Sequence, residues 1–123
     1  MLSVPGQVKI VLCLQPADMR RSFDGLAAMV EQVLGDNPLS GHLFVFRNRR
    51  GDRVKLLYWS GDGLAIWYKR LEEGTFRFPR PGQDETSNGA TISATDLAML
   101  LDGVDLSSVR RSKRYRLPRE VCV

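Results

Sequence analysis

A chain of 123 residues, 43% hydrophobic and 26% charged, has the size and make-up of one folded soluble domain, which excludes a disordered or fibrous polymer. Its early apolar run, residues 10–14, is far too short to span a bilayer, and residues 1–20 lack the layout of a secretory signal, so a cytoplasmic protein without a membrane partner is expected. The net charge of +4 is held unevenly: residues 1–109 carry 12 Lys/Arg against 13 Asp/Glu, whereas residues 110–123 carry 6 against 1, which divides the chain into a single domain over 1–109 and a basic tail over 110–123.

Val8, Ile10, Leu12 and Leu14 alternate with Lys9, Val11 and Cys13, a strand that is apolar on both faces and therefore central in its sheet. Cys13 lies within this run and Cys122 beside the chain end, a spacing that fits neither a disulfide framework nor a metal site; one buried and one incidental thiol are expected. Phe23, Leu26, Ala27, Val30, Val33 and Leu34 then recur at helical spacing, with Asp18 or Ser22 available as the cap and Gly35 and Pro38 as the stop.

From His42 the period shortens. The runs HLFVFR, VKLLYW, LAIWYKRL and TFRF are separated by residues 48–52, 60–63 and 72–74, which have the glycines and lengths of hairpin turns. They predict an α+β domain: an antiparallel β-meander sheet of four to five strands packed with two helices. Residues 79–90 read as a polar surface loop. The second helix follows, with Ser93 as N-cap, Asp96 three residues on, Ile92 and Leu97 as a hydrophobic staple, an apolar stripe of Leu97, Leu100 and Leu101, and Gly103 as the stop.

Two basic clusters are candidate nucleic-acid contacts. Arg47, Arg49, Arg50, Arg53 and Lys55 crowd the first hairpin tip around Gly51 and Asp52, and the alternating period puts Arg53 and Lys55 on one face. Arg110, Arg111, Lys113, Arg114 and Arg116 give the tail its charge. The plainer reading of each is a solvated surface. Phe44, Phe46, Tyr58, Trp59, Trp67, Tyr68, Phe76 and Phe78 belong first to the core, with Trp59 and Trp67 the candidates for exposed rings that dock a partner.

Asp18, Asp24, Asp52 and Asp62 raise a magnesium nuclease as a third reading, although each has a local role at a helix start or in a turn. The single histidine, His42, lacks a nucleophile neighbour, and Gly61, Asp62 and Gly63 are not followed by the Lys and Ser/Thr of a phosphate-cradling loop. No catalytic residue, metal or cofactor is expected.

The ordered series Asp18-Met19-Arg20, Phe23-Asp24-Gly25-Leu26, Ser40-Gly41-His42-Leu43-Phe44-Val45-Phe46, Gly51-Asp52-Arg53-Val54-Lys55, Trp59, Gly61-Asp62-Gly63 and Lys69-Arg70-Leu71 closely resembles TnpB, the small accessory family encoded beside the transposase in bacterial insertion sequences of the IS66 type. The likeness covers about residues 8–101, with Ser60 where relatives often have Asp and Ser22 where Gly is common. It implies an accessory factor for transposition, acting with a separate transposase that cuts and joins the strands, and it carries over no catalytic residue. The expected partners are that transposase, the DNA ends of the element and a second copy of the chain; a pure transposase adaptor without DNA contact is the alternative.

Overall fold

The computed structural model describes residues 8–78 and 88–103. Within them, five strands and two helices follow in the order β1 (Ile10–Cys13), α1 (Phe23–Gln32), β2 (Leu43–Arg47), β3 (Arg53–Trp59), β4 (Leu64–Arg70), β5 (Gly89–Ile92) and α2 (Ala94–Leu101). The sheet runs β4-β3-β2-β1-β5. β2, β3 and β4 form the expected antiparallel meander, β1 lies parallel to β2, and β5 lies antiparallel to β1. The parallel pair requires a crossover, which α1 supplies.

Alternation along the strands feeds two cores. Ile10, Leu12, Leu43, Val45, Val54 and Leu56 face α2, where Leu97, Leu100 and Leu101 meet them. Cys13, Phe44, Phe46 and Leu57 face α1, against Leu26, Met29 and Val30. Covering both faces is what permits β1 and residues 43–46 of β2 to be apolar throughout. β1 is interior as its composition requires, with β2 on one side and β5 on the other.

Two expectations are corrected. Residues 75–78, the fourth apolar run, form no strand; Phe76 and Phe78 instead turn into the α2-side core, 0% and 6% exposed. The fifth strand is Gly89–Ile92, on the opposite edge of the sheet, so the end of the presumed 79–90 loop is ordered structure. Gly89 opens it because a Cβ there would stand 2.9 Å from the Leu34 side chain and 3.4 Å from Val11. Residues 79–87 and 104–123, the latter including the whole basic tail, lie outside the described residues.

The helix boundaries agree with the apolar periods, but the caps differ. Ser93 accepts a 3.0 Å hydrogen bond from the Asp96 amide, the expected N-cap of α2, and Ile92 packs in the same core as Leu97. Ser22 occupies the N-cap position of α1 without a side-chain bond, and Asp18 caps its own short turn by accepting from the Arg20 amide at 2.9 Å. Phe23, at the overhanging end of the α1 stripe, stays 45% exposed.

Because Phe76 is a fully enclosed ring in a segment without sheet pairing, Phe76→Ala is expected to destabilise the fold by about 3–5 kcal/mol, read as a lower urea midpoint. A loss below ~1 kcal/mol would mean that residues 75–78 are not part of the core.

Candidate nucleic-acid interface

The parallel pairing of β1 and β2 sends both of their C-terminal ends to one end of the sheet. β3 starts there and β4 finishes there. Three connections therefore converge: residues 14–22, the turn between β2 and β3, and residues 71–78.

The β2–β3 turn is held by its first residue. The Asn48 amide donates to the Arg53 carbonyl at 3.2 Å, and its carbonyl accepts from Gly51 at 3.0 Å. Its side chain accepts from the Arg53 amide at 3.1 Å and donates to the Asp52 carboxylate at 2.7 Å. That last bond, helped by the charges of Arg50 and Arg53, holds the Asp52 carboxyl below its ordinary pKa. Gly51, at φ 79°, takes a backbone conformation that suits glycine, and an added Cβ would lie 3.4 Å from Thr75.

Both flanks brace the turn. On the α1 side, the Ala17 amide donates to the Arg47 carbonyl at 2.9 Å. On the other, the Phe76 amide donates to the Gly51 carbonyl at 2.7 Å, and Leu71 donates to Asp52 at 2.8 Å.

The five cations expected at the tip separate into different roles. Arg49 and Arg50 are exposed and make no hydrogen bond or ion pair with the described residues. Arg53 is half-buried, its guanidinium reaching the Tyr68 hydroxyl at 3.4 Å. Arg47 folds inward, donates to the Phe76 carbonyl at 3.1 Å and lies 4.4 Å from the centre of the Phe78 ring; burial pushes its pKa down.

Lys55 departs furthest from the expectation. It is 8% exposed, and its ammonium donates at 2.8 Å to the carbonyls of both Met19 and Arg21 while sitting 4.7 Å from the centre of the Tyr68 ring. A phosphate cannot reach an ammonium already enclosed this way, so Lys55 is a clamp between β3 and the loop entering α1.

That loop brings in a cation that the hairpin pattern missed. Arg21 is exposed and shares with Arg49, Arg50 and Arg53 the lining of a surface depression of about 620 Å³. Its neighbour Arg20 is already neutralised: Asp18 accepts from its guanidinium at 2.7 Å and is held down to about 2 by that hydrogen-bonded pair. A second depression, about 320 Å³, lies on the opposite flank of the turn between Arg49, Arg50 and Arg77. The signals for Arg21 and Arg77 were basic residues bordering the first helix and the TFRF run, but only the chain crossing brings them to the hairpin.

Trp59 and Trp67 do not form one docking patch. Trp67 pairs with Leu56 and packs into the α2-side core, whereas Trp59 points with Leu57 to the α1 side; both are half-buried. The exposed ring on β4 is Tyr68, at 47%. The four aspartates raised for magnesium sit in local settings, Asp18 with Arg20, Asp24 in the first turn of α1, Asp52 with Asn48 and Asp62 with Ser60, and no group of three metal-ligating side chains gathers among the described residues. His42 accepts from the Lys9 amide at 3.1 Å, a structural contact.

Residues 8–111 match the family model of IS66 Orf2 like protein, TnpB_IS66. The chain belongs to this family. As an IS66 Orf2-like protein it is an accessory protein of insertion-sequence transposition. The match extends past the region read from the motifs and includes Arg110 and Arg111, the first two cations of the tail.

Two similar proteins come from Sinorhizobium fredii (strain NBRC 101917 / NGR234). "Uncharacterized protein y4jC" is 37% identical over 114 residues, 93% of each chain, and "Uncharacterized protein y4hO" is 39% identical over 106 residues, 85% of this chain and 88% of its own. No solved structure matches. No helix among the described residues is long and apolar enough to cross a membrane.

Lys55→Met, which keeps the stem and removes the donor, is expected to lower stability by about 1–2 kcal/mol, while Arg49→Ala/Arg50→Ala stays within ~0.5 kcal/mol of wild type; denaturant unfolding separates the two. Equal losses would refute the division between clamp and surface cations. Replacing Arg20 by Gln should return the Asp18 carboxyl from about 2 towards 3.8, followed by NMR titration. Its depressed folded value means that the pair contributes above the unfolded pKa and is lost as pH falls through about 2. An Asp18 titration unmoved by Arg20→Gln would assign the shift to another cause.

Proposed function

We propose that this accessory protein binds the DNA of its element through phosphates at the basic end of the sheet and acts there together with the transposase. The observation that carries the reading is the state of Arg49 and Arg50, two exposed guanidinium groups on a turn braced from both flanks, with no anion bonded to them among the described residues, at a depression shared with Arg21 and Arg53. Guanidinium groups match phosphate oxygens in pairs, and a fixed turn reduces the ordering that binding must otherwise impose.

The tail cations Arg110, Arg111, Lys113, Arg114 and Arg116 extend the same chemistry along the strand. Contacts of this kind position a protein on DNA without reading its sequence, so the choice of element ends falls to the transposase. Metal-dependent cleavage has no place in this proposal.

Retention of labelled terminal DNA, measured over a range of salt, is the test. Log affinity is expected to fall by about 0.9 per neutralised phosphate for each decade of salt, and Arg49→Ala/Arg50→Ala to make that slope shallower by about 1.8. A slope indifferent to the double substitution would remove the hairpin from the interface. Capture of the transposase without retention of DNA by either protein form would instead make the chain a protein adaptor.

A further inference from the structure

Among the described residues, the exposed large apolar side chains are Phe23, Leu39 and Tyr68. Two of the three are aromatic, and the chain path brings both to the same corner of the fold. The Lys55 ammonium binds the Arg21 carbonyl at 2.8 Å and stands 4.7 Å from the Tyr68 ring centre, so the segment that opens α1 lies beside Tyr68, and Phe23 is its first helical residue. Arg53 reaches the Tyr68 hydroxyl, and Arg21 and Arg53 both line the larger basic depression.

Tyr68 lends its ring to the Lys55 ammonium and its hydroxyl to Arg53, yet it and Phe23 both keep nearly half of their surface in water. Phe23 continues the buried stripe of α1, yet it overhangs the sheet at 45% exposure, and Tyr68 is 47% exposed where Ile66, two residues back on the same strand face, packs into the core. Duplex DNA offers phosphates to the arginines but keeps its base faces stacked inside. A single strand offers both phosphates and base faces, the pairing of surfaces found where cationic grooves carry aromatic platforms.

We propose that the nucleic acid held at this end of the sheet is single-stranded DNA, its phosphates on Arg21, Arg49, Arg50 and Arg53 and its unpaired bases stacked on Tyr68 and Phe23. This rests on the phosphate-binding role proposed above and adds the strandedness of the ligand.

The test uses the full chain and two fluorescent probes of equal length, an oligothymidylate and a mixed-sequence duplex, at one low salt concentration. The variants are Phe23→Leu, Tyr68→Leu and Tyr68→Phe, each with its stability measured alongside. Single-strand affinity is expected to drop about tenfold for each leucine substitution, the scale of one stacked base. Duplex affinity is expected to stay constant, and Tyr68→Phe to retain single-strand binding. Photocrosslinking of a bromodeoxyuridine-containing strand is expected to label Tyr68 or Phe23.

If both leucine variants bind the single strand as wild type does, or lose both probes equally while remaining folded, the stacking proposal is overturned and phosphate binding survives. If the wild type binds neither probe, phosphate binding itself fails and the stacking proposal falls with it.

Discussion

The parallel alignment of β1 with β2 is the constraint on which the rest of this molecule depends. A parallel pair cannot be closed by a tight turn, so the chain must leave the sheet, form α1 and return. That excursion covers one face of the sheet and carries residues 14–22 to the end where the β2–β3 turn emerges. An all-antiparallel meander built from the same strands would leave the basic hairpin projecting alone. Here it is one wall of a depression whose other wall is the approach to α1.

Within that arrangement Lys55 fixes the spacing between the two walls. The residue is 8% exposed, a position that costs free energy unless the charge is well solvated by the protein. Two backbone carbonyls and the Tyr68 ring provide that solvation. The same contacts hold the α1 approach against β3, so a residue that looks like a surface cation in the sequence acts as an internal tie. Arg47 repeats the pattern on the opposite flank, tying the hairpin to residues 76 and 78.

Much of the architecture was legible because local signals and tertiary structure agree. The double-faced apolar run of β1, the helical stripe from Leu26 to Val30, the hairpins of the meander and the Ser93 cap all required only near-neighbour chemistry. Residues 75–78 misled because a buried apolar alternation looks the same whether or not its backbone joins a ladder. Phe76 and Phe78 are core residues, as their type suggests, but the backbone of Phe76 bonds to the turn at Gly51. β5 was hidden for the converse reason: four residues, GATI, acquire strand character only from β1, a partner far back in the chain. The division of the hairpin cations into clamp, brace and exposed pair was equally invisible, since period-two alternation assigns Arg53 and Lys55 one face without saying what covers it.

What covers that face changes along β3 and β4, and this gradient joins the fold to its proposed work. Towards the middle of the sheet, Leu57 and Ile66 lie beneath α1 in a closed core. Towards the basic end, the helix stops at Phe23, and the strand faces continue past it with Lys55 enclosed, Arg53 half-buried and Tyr68 exposed. The transition from core to arginines thus passes through aromatic rings that are neither fully buried nor charged. A polyanion with its own flat apolar surfaces can follow such a gradient, meeting guanidinium groups with its phosphates and rings with its bases, whereas a purely charged rim would distinguish only charge density.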